Sequence, residues 1–342
     1  MKKTIINILL IFVFALITIL IVAKVEDPAV LNSMWARIKY GYLSAAVALM
    51  VVYWLLDGFL MMKMAGVIPR QISFRHSFII SMSVQFFNAI TPFASGGQPV
   101  AVYLLKKKGM TYGESTAIVV LKSLIWQTSL LSVTVISLFL NYKFLIDNIS
   151  GFIPFFIIGT VTNIVVILFY CMFFSNAIMT KMMNGICNFF SKIGFKKRID
   201  KFRENVNKEI ARLGSTMKEV AHHKKNLLQF TLITIVQMTT FCSILYFIQL
   251  ACEPVAANFF DMLTSQYMVT MITSMIPSPG AAGGAEGVGY VFFKMFFTTS
   301  SILAVVLIWR VITYYLNLLM GGIFCLLNKD KPLKQENLQD QP

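Results

Sequence analysis

Two short stretches hold residues able to do chemistry in an otherwise apolar chain. Residues 91–97 read TPFASGG and residues 278–284 read SPGAAGG, so both follow [Ser/Thr]-Pro-x-Ala-[Ser/Ala]-Gly-Gly at an offset of 187. After one extra residue, Ala285, the offset becomes 188, and Gln98 then pairs with Glu286 while Lys122 pairs with Arg310. Prolines and paired glycines break helices, and glycine lets a ligand or a second backbone come close. A broken helix also exposes N–H groups and a partial positive charge at the start of its next segment, which suits an anion such as a phosphate. Lys122 and Arg310 would add full positive charges at membrane depth. Glu286 would pair with one of them or bind a cationic or hydroxyl-bearing headgroup. The candidate ligand-binding set is therefore Thr91, Pro92, Ser95, Gly96, Gly97, Gln98, Lys122, Ser278, Pro279, Gly280, Gly283, Gly284, Glu286 and Arg310.

The surrounding elements set the solvent in which these residues work. Hydrophobic residues are 57% of the 342, and charged ones are 13%, far from the balance of a soluble domain. The chain reads as an all-α polytopic membrane protein. Continuous apolar spans fall at about 5–23, 41–62, 115–140, 152–175, 227–250 and 300–327, each near the roughly 20 residues that cross a bilayer core. The first follows "MKK" like a signal peptide but is long enough to span and lacks a small-x-small cleavage pattern, so it reads as a retained helix. Two further apolar stretches, 76–105 and 262–297, contain the Pro/Gly tips in their middles.

Basic clusters in short loops face the cytoplasm. Lys2 and Lys3, Lys63 with Arg70 and Arg75, Lys106 to Lys108, and Lys329, Lys331 and Lys334 therefore place both termini inside. Six full spans then leave each interrupted stretch starting and ending on one face. The expectation is a pair of re-entrant helical hairpins, one from each side, in an inverted repeat of about 41–140 and 227–327 within a single transmembrane domain, 1–328. A polar tail, 329–342, follows. Inverted repeats with broken helices are common in transporters, whose sites lie at the repeat interface.

Segment 178–225 carries 12 Lys or Arg against 4 acids. Ile199, Phe202, Val206, Ile210, Leu213, Met217 and Val220 recur at helical spacing, so this stretch reads as a basic amphipathic helix lying on an anionic leaflet. With the short loops it accounts for most of the net +15, and nucleic acid is not expected as a partner. Gln85 and Asn88 share one helix face and suit interhelical hydrogen bonding, whereas Asp57 reads as interfacial. The five cysteines and three histidines lack ligand spacing, so neither a metal nor another cofactor is expected, and no catalytic residue is assigned.

The ordered pair TPFASGGQPVAVYLLKKKG and PSPGAAGGAEG resembles the two signature stretches of the lysylphosphatidylglycerol synthase transmembrane region, or UPF0104, family. The resemblance covers nearly the whole chain. It implies a flippase-like domain that moves aminoacylated phosphatidylglycerol or another phospholipid or glycolipid headgroup across a bacterial plasma membrane. Full-length synthases of that family add a soluble lysyltransferase domain, which is not expected here because only NKDKPLKQENLQDQP follows Leu327. The second tip departs from the usual Gly-Gly-Leu-Gly type, leaving the lipid open. A phosphatidylglycerol lysyltransferase and a non-transporting partner of a separately encoded lipid synthase stand as the rival readings, and a homo-oligomer as a further assembly.

Overall fold

A backbone inside lipid must satisfy its own polar groups, so long apolar runs become helices. The computed structural model describes residues 35–68, 72–148, 152–192, 196–253, 255–274, 276–297 and 302–327, and among them there are helices and turns but no strand. Among the described residues, five helices are long and apolar enough to cross a membrane: Tyr40–Ala65, Tyr112–Asn148, Ile153–Phe174, Lys224–Cys252 and Ile302–Leu327. They correspond to five of the six expected spans. The sixth, 5–23, lies outside the described residues, as do the tail 329–342 and the basic residues Lys2, Lys3, Arg70, Lys329, Lys331 and Lys334.

In chain order the elements are α1 (Tyr40–Ala65), α2 (Phe74–Ala89), α3 (Gly97–Lys107), α4 (Tyr112–Asn148), α5 (Phe152–Cys171), α6 (Asn176–Lys192), α7 (Lys196–His222), α8 (Lys224–Cys252), α9 (Phe259–Thr273), α10 (Gly284–Phe293), α11 (Ile302–Arg310) and α12 (Leu316–Leu327). A π-helical turn, Val311–Tyr315, joins α11 to α12. Both interrupted stretches are pairs of short helices packed on each other, α2 on α3 and α9 on α10. Their lengths are 16, 11, 15 and 10 residues. At 1.5 Å per residue, each is shorter than the ~30 Å hydrocarbon core.

Helix α4 runs past its apolar segment to Asn148, bending at Asn141, whose φ is −132°. The Asn141 amide donates to Asp261 Oδ1 at 2.6 Å, so a tertiary partner, not propensity, holds that end. One apolar cluster joins α1, α8, α9, α10 and α11 through Met50, Trp54, Leu245, Met268, Phe293 and Trp309. The last two stack edge to face at 5.2 Å. A second cluster gathers Leu60, Met61, Ile118, Leu121, Met217 and Phe230 at the end where α1 finishes and α4 begins.

That second cluster changes the reading of the amphipathic segment. On α7 the stripe residues Ile210, Leu213, Met217 and Val220 are buried in the protein, while Phe202 stays exposed. The fit is close, because a Cβ on Gly113 of α4 would strike the carbonyl oxygen of Glu209, and the Glu209 carboxylate accepts the Gly113 N–H at 2.6 Å. The stripe between Ile210 and Val220 is therefore covered by protein, against the start of α4. Exposed apolar residues occur instead on α6, where Ile178, Met182 and Ile186 repeat every fourth residue.

Candidate functional site

Each tip is a one-turn 3-10 helix opened by proline, Pro92–Ala94 in the first and Pro279–Ala281 in the second. The offset that aligns the sequences also aligns the backbones of the two 3-10 turns. Phe93 has φ/ψ of 55°/20° and its counterpart Gly280 has 61°/21°, and Ala94 and Ala281 likewise have positive φ. Left-handed backbone at non-glycine residues is uncommon and persists only where the surroundings enforce it.

In the first tip, the Thr91 hydroxyl donates to the Phe87 carbonyl at 2.7 Å and accepts the Gly96 N–H at 2.8 Å. Asn88 Oδ1 accepts the Gly97 N–H at 2.9 Å. The adjacent glycines are needed for this fold-back: a Cβ on Gly96 would fall 2.5 Å from Thr91 Cγ2, and one on Gly97 would strike the Asn88 amide. The Ser95 hydroxyl donates to the Pro92 carbonyl at 2.9 Å. Gln98, with its amide oriented by the hydrogen-bond network, donates to the carbonyls of Ser95 and Ala94.

The second tip is held by charge. Glu286 Oε2 accepts the Gly283 N–H at 2.8 Å, capping α10 from its third position as in a capping box. Its Oε1 accepts from Arg310 Nε at 2.9 Å. Another Arg310 nitrogen donates to the Gly280 carbonyl at 2.9 Å, and the guanidinium lies 4.2 Å from the Tyr314 ring centroid. The Ser278 hydroxyl donates to the Ala282 carbonyl at 2.9 Å. Arg310 is 5% exposed, so this is a buried ion pair and not a snorkelling cation.

The tips meet. The two 3-10 turns are neighbours, and the Tyr314 hydroxyl donates to the Ala89 carbonyl just before the first tip at 3.1 Å. The Tyr314 ring also lies against Gly280, where any Cβ would clash with it. Thus Thr91, Pro92, Ser95, Gly96, Gly97, Gln98, Ser278, Pro279, Gly280, Gly283, Gly284, Glu286 and Arg310 form one assembly across the two hairpins. The expected free N–H groups at Gly96, Gly97 and Gly283 are already taken by side chains from the same tips.

Lys122 has a different partner. Its ammonium binds Asp57 Oδ1 at 2.7 Å, and Asp57 is 4% exposed. Asp57 is thus a buried residue of α1 and not an interfacial one. The sequence pairing of Lys122 with Arg310 does not carry both to the tips: Arg310 has Glu286 and Lys122 has Asp57. Gln85 acts as interhelical glue: its amide donates to the Tyr53 hydroxyl at 3.1 Å and accepts from Asn317 at 3.4 Å. Asn317 in turn accepts from Trp54 Nε1 at 2.9 Å. Asn88 works inside its own tip. Tyr314 and Asn317 carried no sequence signal beyond a polar atom on an apolar helix. A pocket of about 370 Å³ lies away from the tips, between the end of α1 and the start of α8, with Met62, Lys63, Asn226, Gln229 and Phe230 among its walls.

The family described as the lysylphosphatidylglycerol synthase TM region matches residues 5–321. The chain belongs to that family. Its match takes in the first apolar run, both tips, four of the membrane-length helices whole and the fifth as far as residue 321. A UPF0104 membrane protein of Archaeoglobus fulgidus is 28% identical over 312 residues, covering 89% of this chain and 91% of that protein. The family assignment makes this a multi-pass membrane protein, and the tips are the part of its membrane domain where backbone irregularity and buried charge coincide.

Proposed function

We propose that this protein is a lipid translocase that moves a phospholipid or lipid-linked headgroup, such as aminoacylated phosphatidylglycerol, between the leaflets of a bacterial plasma membrane. What carries the reading is the meeting of two broken, half-length helix pairs inside a frame of membrane-length helices. Irregular backbone at membrane depth is tolerated only where protein buries it or where it lines a wet cavity. Hairpins entering from opposite faces, with both termini cytoplasmic, would bring two such breaks together at mid-membrane. The tips here represent a closed arrangement, since Arg310 is committed to Glu286 and Gly280. A headgroup phosphate entering between the tips would take Arg310 in exchange for Glu286, replacing one charge-assisted bond by another. The anionic membrane surface would be met by α6, whose apolar residues Ile178, Met182 and Ile186 are exposed.

The test uses Ser95→Cys with Ala282→Cys, one cysteine on each tip, in protein reconstituted into vesicles. Fluorescent phosphatidylglycerol or its lysyl ester is loaded into one leaflet. Transport should stop when the tips are joined by a short reducible cross-linker and resume on reduction, whereas the parent chain treated identically should be unaffected. Equal transport in the joined and reduced forms, or no transport of either lipid by the parent chain, would remove the basis for this function.

A further inference from the structure

The strongest feature outside the tips is the polar cluster where α1, α2, α4 and α8 meet. Asp57 Oδ1 receives two donors, Lys122 Nζ at 2.7 Å and Gln237 Nε2 at 3.0 Å, and the Ser81 hydroxyl donates to the Asp57 main-chain carbonyl at 3.2 Å. The second carboxylate oxygen, Asp57 Oδ2, is buried and receives no protein donor. The same is true of Gln237 Oε1. Asp57 is 4% exposed and Gln237 0%. Two buried acceptors without donors, on groups already joined by one hydrogen bond, are an incomplete arrangement, since buried polar atoms are nearly always satisfied.

One added proton completes it. A carboxylic acid presents one donor and one acceptor, a primary amide can present one of its two N–H donors beside its carbonyl acceptor, and the two pair through two parallel hydrogen bonds. The first of those bonds, Gln237 Nε2–H to Asp57 Oδ1, is already present. A proton on Asp57 Oδ2 would supply the donor that Gln237 Oε1 lacks and would satisfy both orphaned atoms at once. We infer that Asp57 and Gln237 form an exchangeable-proton site within the membrane domain, for which Lys122 is the counter-charge when the site is empty. Filling it converts the Asp57 carboxylate to the acid by uptake of one proton from water. The Lys122 ammonium then loses its counter-ion at membrane depth and becomes free to hold an anion. Lys122 is the charged group facing Asp57 from the packed helices; α8 contributes Gln237, α2 contributes Ser81, and Tyr53, one turn away on α1, is the other titratable neighbour.

The site is tested without any transport assay, so its failure is separable from failure of the translocase reading. Infrared difference spectra of the full chain in lipid nanodiscs are recorded as pH falls from neutral to below the ordinary carboxylate range. A carboxylic-acid C=O band should appear in the parent chain and be lost in Asp57→Asn. In Gln237→Leu the band should move to higher frequency, because the acid has lost its amide partner. Identical spectra for the parent chain and Asp57→Asn over the whole range would overturn the inference and leave a permanently ionised pair bridged by water. A band unmoved by Gln237→Leu would overturn the acid–amide pairing.

Discussion

Replacing Glu286 by glutamine removes one charge and almost no volume. Glu286 accepts from Arg310 Nε at 2.9 Å and from the Gly283 N–H at 2.8 Å, with side-chain exposures of 6% for Arg310 and 16% for Glu286. A glutamine has a single acceptor oxygen. Whichever donor it serves, its NH2 group faces the other, so one interaction is lost and a donor is set against a donor. Leaving a buried charge without its partner costs about 3–5 kcal/mol. Arg310 keeps the Gly280 carbonyl and the Tyr314 ring, which offset part of this. We therefore expect Glu286→Gln to destabilise by about 3 kcal/mol, at the low end of that range. Arg310→Met should cost more, since it also removes the bond to Gly280 and the ring contact.

Equilibrium unfolding in mixed micelles of the two single variants and the double variant closes the cycle. The double variant should fall short of the summed losses by about 2 kcal/mol, as expected for two residues in direct contact. Single losses under about 0.5 kcal/mol that simply add would refute the reasoning, because an exposed ion pair, not a buried one, behaves in that way.

Two further outcomes probe the tips and the surface. Gly280 and Gly283 both have positive φ, 61° and 81°, but only Gly280 has the Tyr314 ring against it. Gly283→Ala should lose about 1–2 kcal/mol from backbone strain alone, and Gly280→Ala measurably more in the same unfolding assay; equal losses would place the ring elsewhere. On α6, a Met182→Trp indole should be quenched by brominated lipid in vesicles and shielded from a water-soluble quencher, while the reverse would assign that face to a protein partner.

Much of the frame was legible because lipid imposes a simple rule on the backbone. Any apolar run of about 20 residues satisfies itself as a helix, and the breakers at Pro92, Gly96, Pro279 and Gly283 show where that rule is suspended. The repeat was legible for the same reason, and it extends to matched left-handed residues at Phe93 and Gly280. The α7 stripe shows the limit. Spacing announces an apolar face but does not say what covers it, and here the covering surface is the start of α4, around Gly113. Asp57 was misplaced because position along a span gives depth only, and burial by α2, α4 and α8 is not a property of α1.

The sequence by itself determined a helical membrane protein, its family, two glycine tips and the few charges placed among apolar residues. Tertiary structure alone decided the partners: Glu286 with Arg310, Asp57 with Lys122 and Gln237, and Tyr314 with a carbonyl 225 residues away. Helix formation and breakage depend on neighbours within a turn or two, which a sequence displays. Which cation meets which carboxylate depends on how whole helices are arranged around one another, and that is fixed only when their apolar faces have packed.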